Sequence, residues 1–543
     1  MSIHFDRSTD QVNVDSMSGT ITDESPTDPY GSETEVLLNR DDALPKPTEL
    51  ETPTEEGSSL AANSGPEEPG KRGYITVGIL FYVNLLNYMD RFTVAGNLKK
   101  IQQYYSLNDA EGGLLQTVFI IMYMIAAPLF GYLGDRYNRK IIMSVGIFLW
   151  SCFTVLGSLV PAHWAPAFFV LRGLVGVGEA SYSTIAPTII ADLFSKGMRT
   201  RMLAVFYFAI PVGSGLGYII GTYVGQALGA WQWGLRVTPV FGVIAIFLIL
   251  ILVKEPKRGA SDDHSRVRAT SYGEDLRALL KRNPSYIWST FGFVGVAWVA
   301  GCLSWWAPTY IEDAYTLSGR DGSSTALIFG GITVVTGILG VALGAEIARR
   351  WKKYNPRADP LVCGIGLIGC SPFLYFVITL AHKHHIISWI LIFFGETFLS
   401  LNWAVTADIL LYVVIPTRRS TANAFQMLLS HTLGDATSPY IVGQIADGIR
   451  GDKTNIFAQF TSLQYALYLN CFVAILGGAS YLIVSFYVEE DKKKAENEAK
   501  GREINEMFVE YSDTEDASLL FSNSPSYADD FKKRTGSRRR KSR

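Results

Sequence analysis

The sequence predicts an all-α membrane protein whose twelve transmembrane helices form two similar six-helix halves. Three observations predict it. Stretches of about 20 mostly apolar residues, the length that crosses a hydrocarbon core of about 30 Å, recur from Tyr74 to Tyr487. The chain of 543 residues is 48% hydrophobic and only 18% charged, too little charge for a set of soluble domains. Polar landmarks inside the apolar stretches also repeat in the same order in the two halves of the chain.

Taken in order, residues 1–70 are rich in Ser, Thr, Pro, Asp and Glu and lack a sustained apolar period, so they read as a disordered acidic cytosolic tail. They carry −13 of formal charge, against +11 in the rest and −2 overall. The basic remainder suits cytosolic loops around a membrane body, and no nucleic-acid partner is expected. The tail has no basic start followed by an apolar core and a cleavage site, so the first span is expected to act as the targeting signal. Spans are expected near residues 74–98, 112–134, 140–160, 165–193, 200–226 and 235–253, which make a six-helix bundle over 71–253. A polar cytosolic linker over 254–283 follows. The second bundle, 284–488, is expected to have spans near 285–313, 324–350, 360–381, 386–415, 419–448 and 461–488, ahead of a disordered charged tail over 489–543.

Orientation follows from Lys and Arg in the short loops. Arg136, Arg139 and Lys140, then Lys196, Arg199 and Arg201, then Arg349 to Arg357, then Arg418 and Arg419 fall in alternate loops, which are assigned to the cytosol with both termini. The repeat is visible at ordered positions. Glu179, Ala191-Asp192, Arg199 and Gly217 to Gly221 (GYIIG) are echoed by Glu396, Ala407-Asp408, Arg418-Arg419 and Pro439 to Gly443 (PYIVG), at offsets between 216 and 222. Duplication of a six-helix unit explains the echo and places a cavity between the halves near the midplane.

Ionisable residues within the spans mark the candidate site, because each costs roughly 2.5–3.5 kcal/mol to insert and so faces a cavity or a partner. The first span carries Asn84, Asn87, Tyr88, Asp90 and Arg91. The fourth carries Arg172 and Glu179, seven positions apart and therefore on one helical face. Asp90 and Glu179 are candidate proton carriers. Arg172 has two readings, an anion holder or a partner for a carboxylate on the first span, and static ion pairs remain the alternative for the whole set. In the second half Glu396, Asn402, His431 and Asp435 are the polar groups within apolar spans, and His431 is the histidine placed deep in one. Pro211 to Gly217 (PVGSGLG) reads as a hinge rather than a contact site. The five cysteines, Cys152, Cys302, Cys363, Cys370 and Cys471, all lie in apolar stretches and read as small hydrophobes. No Walker motif, Ser-His-Asp set or metal-spaced cluster stands out, so neither enzyme chemistry nor a cofactor, metal or ATP drive is expected.

The segment Gly131 to Lys140 (GYLGDRYNRK) resembles the signature loop between spans 2 and 3 of the major facilitator superfamily. The resemblance implies that Asp135, Arg136 and Arg139 gate the cytosolic side, with Asp135 and Arg136 as a charge latch. Asn138 stands where glycine is usual, a departure that Asn tolerates because it can adopt positive φ. Longer strings are more specific: NLLNYMDRFTVAG at 84–96, RGLVGVGEASYSTIAPT at 172–188, FYFAIPVGSGLGY at 206–218, NPRADPLVCG at 355–364 and ADILLYVVIPTRRSTA at 407–422 resemble the spinster family of lipid transporters. That resemblance implies a proton-linked carrier of lysophospholipids or sphingoid lipids, with Asp90, Arg91, Arg172 and Glu179 at positions matching the family's polar cavity motif. Asn87, Tyr88, Glu396, Asn402 and His431 join the arginines as expected substrate contacts. Two acidic dileucine segments, ending in Leu37-Leu38 and Leu519-Leu520, resemble sorting signals for endosomes and lysosomes and imply sorting adaptors as partners and the lysosomal branch as the home of the chain. The alternatives are export of sphingosine-1-phosphate at the plasma membrane, a sugar or organic-anion facilitator, and a lipid sensor or scaffold.

Overall fold

The computed structural model describes residues 70–194, 196–256 and 272–512. Most of both expected tails, both dileucine segments and the middle of the expected linker therefore lie outside the described residues. The first half consists of α1 (Lys71–Gly96), the short α2 (Leu98–Tyr105), α3 (Asp109–Arg136), α4 (Arg139–Ser158), α5 (Ala165–Leu193), α6 (Lys196–Ala227) and α7 (Gln232–Leu252). After α8 (Tyr272–Arg282), the second half has α9 (Pro284–Leu317), α10 (Thr325–Trp351), α11 (Ala358–Leu380), α12 (His385–Ser400), α13 (Asn402–Val413), α14 (Arg419–Ser430), α15 (Ser438–Arg450) and α16 (Ile456–Ser512). The pair α12 and α13 forms one crossing, as do α14 and α15, so each half contributes six.

Among the described residues, nine helical segments are long and apolar enough to span a bilayer. The other three crossings are α1, α5 and the α14–α15 pair, and the ionisable groups of the candidate site concentrate on them. Local sequence sets the ends. Asn108 caps α3 through its side chain to the Glu111 amide at 2.8 Å, and the Glu111 carboxylate accepts in return from the Asn108 amide at 3.0 Å. Asn283 caps α9 ahead of Pro284.

The duplication shows in equivalent bonds. Arg199 donates from Nε to the carbonyl of Phe194 at 3.1 Å, and Arg419 donates in the same way to Val414 at 3.2 Å, each closing the end of the preceding crossing. The core is divided unevenly. On the side opposite the basic loops, one apolar cluster joins both halves, from Val94, Leu115, Tyr218 and Trp231 to Trp305, Trp306, Phe329, Val442 and Leu463. Towards the basic loops there are two separate clusters, one almost wholly in the first half and one in the second. The buried apolar core thus joins the halves on one side and divides between them on the other.

Several expectations change. Asn138 has φ −62° and does not use the left-handed region; it is the N-cap of α4, accepting from the Ile141 amide at 3.3 Å, which is why Asn is suited to the position. Pro211 to Gly217 lies within one continuous helix and is a contact surface. A Cβ at Gly213 or Gly217 would collide with the carbonyl oxygens of Leu85 and Met89 on α1, and one at Gly215 with that of Gly330 on α10. The expected linker contains α8, whose apolar Leu279 is buried in the core of the second half. Residues 489–512, expected in the disordered tail, continue α16, because Glu489 pairs with Arg357, Glu498 with Arg418, and Asp491 accepts from the amide of Ser285 at the start of α9.

Candidate functional site

The charged residues of α1 and α5 interlock. Asp90 and Arg91 are neighbours on α1, and each meets a residue of opposite sign on α5: Asp90 Oδ2 lies 3.5 Å from Arg172 Nη1, and Arg91 Nη2 lies 3.4 Å from Glu179 Oε2. Seven residues of α5 separate Arg172 from Glu179, so two turns of one face receive both partners. Arg172 also donates to the Arg91 carbonyl at 3.4 Å, and Thr238 of α7 donates to Asp90 Oδ1 at 2.5 Å. Asp90 and Glu179 are fully buried, whereas the Arg91 side chain keeps 11% of its surface exposed. Buried Asn87 Nδ2, Arg91 Nε, Arg172 Nε and Glu179 Oε1 have no partner among the described residues. Ion pairs of this length, with polar atoms left over, are less than a closed structural lock requires.

Aromatic rings surround the arginines. The Arg91 guanidinium lies 5.2 Å from the Tyr88 ring centroid, 4.7 Å from that of Phe119 and 5.7 Å from that of Tyr123. The Arg172 guanidinium lies 4.4 Å from the same Phe119 ring. Tyr123 reaches towards the second half, 6.4 Å from the ring of His431. His431 opens a π-helical turn, His431–Asp435, and its Nδ1 lies 3.0 Å from Asp435 Oδ1. Such a turn widens the helix and is a frequent mark of functional sites.

Glu396 on α12 has a different setting. Its Oε1 accepts from Thr333 at 3.2 Å and its Oε2 from Thr336 at 2.7 Å, both on α10. Among the described residues it has no cationic partner. Asn402 stands apart from the cluster: it starts α13, donates to the Leu399 carbonyl at 3.0 Å and packs against Gly366 of α11, so its place is at the break between α12 and α13 rather than beside the arginines.

On the side where the core joins the halves, Asp447 of α15 accepts from the first amides of α3, those of Asp109 at 3.1 Å and Ala110 at 2.7 Å, while Arg450 joins Asp109 and Asp447. Lys99 on α2 pairs with Asp313 and Glu312 on α9. Gly113 and Gly443 let α3 and α15 touch backbone to backbone, with no room for a Cβ at either.

Comparison with known proteins fixes the family. Residues 80–439 match the model of the Major Facilitator Superfamily. Protein spinster homolog 1 of Xenopus laevis is 53% identical over 442 residues, which cover 79% of this chain and 84% of the relative. The chain belongs to the spinster family. Protein spinster homolog 1 of Homo sapiens is 51% identical over 466 residues, 83% of this chain and 87% of the relative. The sphingosine-1-phosphate transporter SPNS2 of Xenopus tropicalis is 46% identical over 486 residues, 87% and 93% of the two chains. In fold, the chain is similar to a bacterial homologue of the human lysosomal transporter spinster in an inward-facing and unoccupied conformation, with a TM-score of 0.69 at 18% identity over 78% of this chain and 98% of that one. The protein is a transporter of the major facilitator superfamily and not an enzyme.

In this spinster-family transporter the loop residues Asp135, Arg136 and Arg139 separate. Arg139 is buried, pairing with Asp192 at 2.5 Å and donating to the Gly134 carbonyl at 3.3 Å, all within the first half. The Arg136 guanidinium lies over Tyr132 at 4.1 Å, and Asp135 forms no ion pair among the described residues. Among the described residues neither Asp135 nor Arg136 forms an ion pair, with each other or with the second half, in this conformation. Sequence reading missed Phe119, Tyr123 and Thr238. Phe119 and Tyr123 are four apart on α3, the spacing of one helical face, but in an apolar span that pattern does not separate a cage from core packing.

Proposed function

We propose that this spinster-family protein is a proton-coupled carrier that moves lysophospholipids or sphingoid lipids across the lysosomal membrane by alternating access. The observation that carries the reading is the Arg91 guanidinium, held among three aromatic rings with Glu179 as its one hydrogen-bond acceptor among the described residues. A phosphate-bearing headgroup matches such a cation, and the surrounding apolar helices match an acyl chain. Arg172 lies behind Arg91 on the same ring and assists it. Glu396, with no cation of its own among the described residues, receives an amine or quaternary ammonium of the same headgroup. Asn87, Tyr88 and His431 complete the polar wall.

Asp90 and Glu179 carry the protons. Each faces an arginine, so arrival of an anionic headgroup competes with the carboxylate for that cation, and release of the arginine favours proton uptake by the carboxylate. In this arrangement substrate and proton are linked without contact between them. The halves, joined at Asp109, Asp447 and Arg450 in the conformation described here, then part on that side while Asp135 and Arg136 close the other. The human lysosomal transporter named in the structural comparison and the two acidic dileucine segments support a lysosomal location. Resemblance to a sphingosine-1-phosphate transporter supports a second reading, sphingosine-1-phosphate export at the plasma membrane.

Uptake of labelled lysophosphatidylcholine and sphingosine-1-phosphate into vesicles carrying the protein, with the face opposite the basic loops held at neutral or acidic pH, separates the readings. Acid-stimulated transport of the first is the expected result, and preference for the second selects the export reading. Transport of neither sinks the lipid-carrier reading. Asp90→Asn and Glu179→Gln are each expected to weaken the acid stimulation, and full stimulation in both variants rules them out as proton sites.

A further inference from the structure

We infer that Phe119 is a positioning residue for anion recognition: its ring holds the Arg91 and Arg172 guanidinium groups without accepting an N–H from either, and so leaves N–H donors for the phosphate of a lipid headgroup. The inference rests on the lipid reading above and adds the residue that makes two neighbouring cations usable.

Two guanidinium groups packed within one apolar cluster repel each other, and burial removes the water that would screen them. Carboxylates are one way to hold them, but at 3.4 and 3.5 Å the pairs with Glu179 and Asp90 are long, and every carboxylate oxygen that binds an arginine occupies an N–H that a ligand needs. An aromatic face attracts a guanidinium through the ring quadrupole without accepting an N–H. Phe119 lies 4.7 Å from the Arg91 guanidinium and 4.4 Å from that of Arg172, so a single ring contacts both cations. It is itself fully buried, and Gly176 fixes its place. A Cβ at Gly176 would collide with the Phe119 carbonyl oxygen, so the glycine lets α5, which carries Arg172, lie directly against α3.

The consequence is visible in the donors. Arg91 makes one side-chain hydrogen bond among the described residues, to Glu179, out of five N–H groups, and its side chain is the more exposed of the two arginines. Tyr88 and Tyr123 add further ring contacts to Arg91 but are not shared with Arg172. Phe119 is thus the element common to both cations. It carries no polar atom of its own to bind the ligand.

The test is transport of labelled lysophosphatidylcholine by the full-length chain in proteoliposomes, comparing Phe119→Leu, Phe119→Met and Phe119→Tyr with the unaltered protein. Loss of the ring face in the Leu variant is expected to raise KM about 10-fold while Vmax changes less than about twofold, the size of a desolvated cation–π contact. Phe119→Tyr, which keeps a ring, is expected to restore KM. Phe119→Met, which fills space without a ring face, is expected to repeat the Leu result and serves as the measurement if the Leu variant folds poorly. Unchanged KM in Leu and Met, a fall confined to Vmax, or an equal rise in KM for Tyr overturns the inference while the lipid reading stands. Absence of lysolipid transport by the unaltered protein overturns the lipid reading and the inference with it.

Discussion

Glu179 and Glu396 occupy corresponding places in the two halves, 217 residues apart, yet they live in opposite surroundings. Glu179 is wholly buried and faces the Arg91 guanidinium. Glu396 keeps some exposure and is held by two threonine hydroxyls. Seven residues before Glu179 stands Arg172; seven before Glu396 stands Trp389, which donates its indole N–H to the Tyr315 hydroxyl at 3.0 Å instead of supplying charge. Duplication gave both halves a carboxylate at one site on the scaffold. The first half then faces it with cations, and the second, among the described residues, gives it threonine hydroxyls alone.

Removing each carboxylate breaks or sharpens that comparison most strongly. Glu179→Ala leaves a buried guanidinium without its acceptor, so a loss of about 3 kcal/mol of folding stability is expected. Glu396→Ala strips two hydroxyls of a partner but strands no cation, and about 1 kcal/mol is expected. Thermal unfolding of the two purified variants reads the difference, and equal losses contradict the assignment of Glu396 as uncompensated.

A smaller effect concerns selectivity. Glu396→Gln keeps the shape and one carbonyl oxygen that accepts from a threonine, turns its amide N–H towards the oxygen of the other hydroxyl, and removes the charge. Transport assays with the variant are expected to show roughly tenfold weaker affinity for lysophosphatidylcholine, about 1.4 kcal/mol, and little change for lysophosphatidic acid, which has the phosphate but no amine. Equal weakening for both lipids places the Glu396 contribution in packing instead of amine recognition.

How far these sites were legible from sequence follows the same division. The twelve crossings and the duplication could be read from apolar length and polar echoes, since both depend on spacing along the chain. Asp90, Arg91, Arg172 and Glu179 were legible as a set because charge in an apolar span is costly wherever it sits. Their pairing was not, because which α1 residue meets which α5 residue depends on how the two helices are turned towards each other. Phe119 and Tyr123 look like any apolar-span aromatics until a guanidinium is placed over them. Asn138 was noticed for the right position and given the wrong reason: its side chain, not its backbone, does the work of starting α4. The helical run past residue 488 escaped notice because a stretch rich in Lys and Glu reads equally as a solvated tail or as a helix with i,i+4 pairs, and Lys494 pairs with Glu490 in the second way.

The smallest effect isolates the threonines. Thr336 is fully buried and its hydroxyl is placed 2.7 Å from Glu396 Oε2 but also 2.9 Å from the Ile332 carbonyl of its own helix. One hydroxyl hydrogen cannot serve both acceptors at once, so its net contribution to holding the carboxylate is below that of an unshared bond, about 0.5–1 kcal/mol. Thr336→Val keeps the volume and is expected to weaken lysophosphatidylcholine affinity by roughly two- to fivefold. Thr336→Ser, which keeps the hydroxyl, is expected to recover most of it. Thr333 at 3.2 Å should matter less than Thr336, and a larger loss in Thr333→Val than in Thr336→Val would mean that the ligand, not the protein, sets the carboxylate orientation.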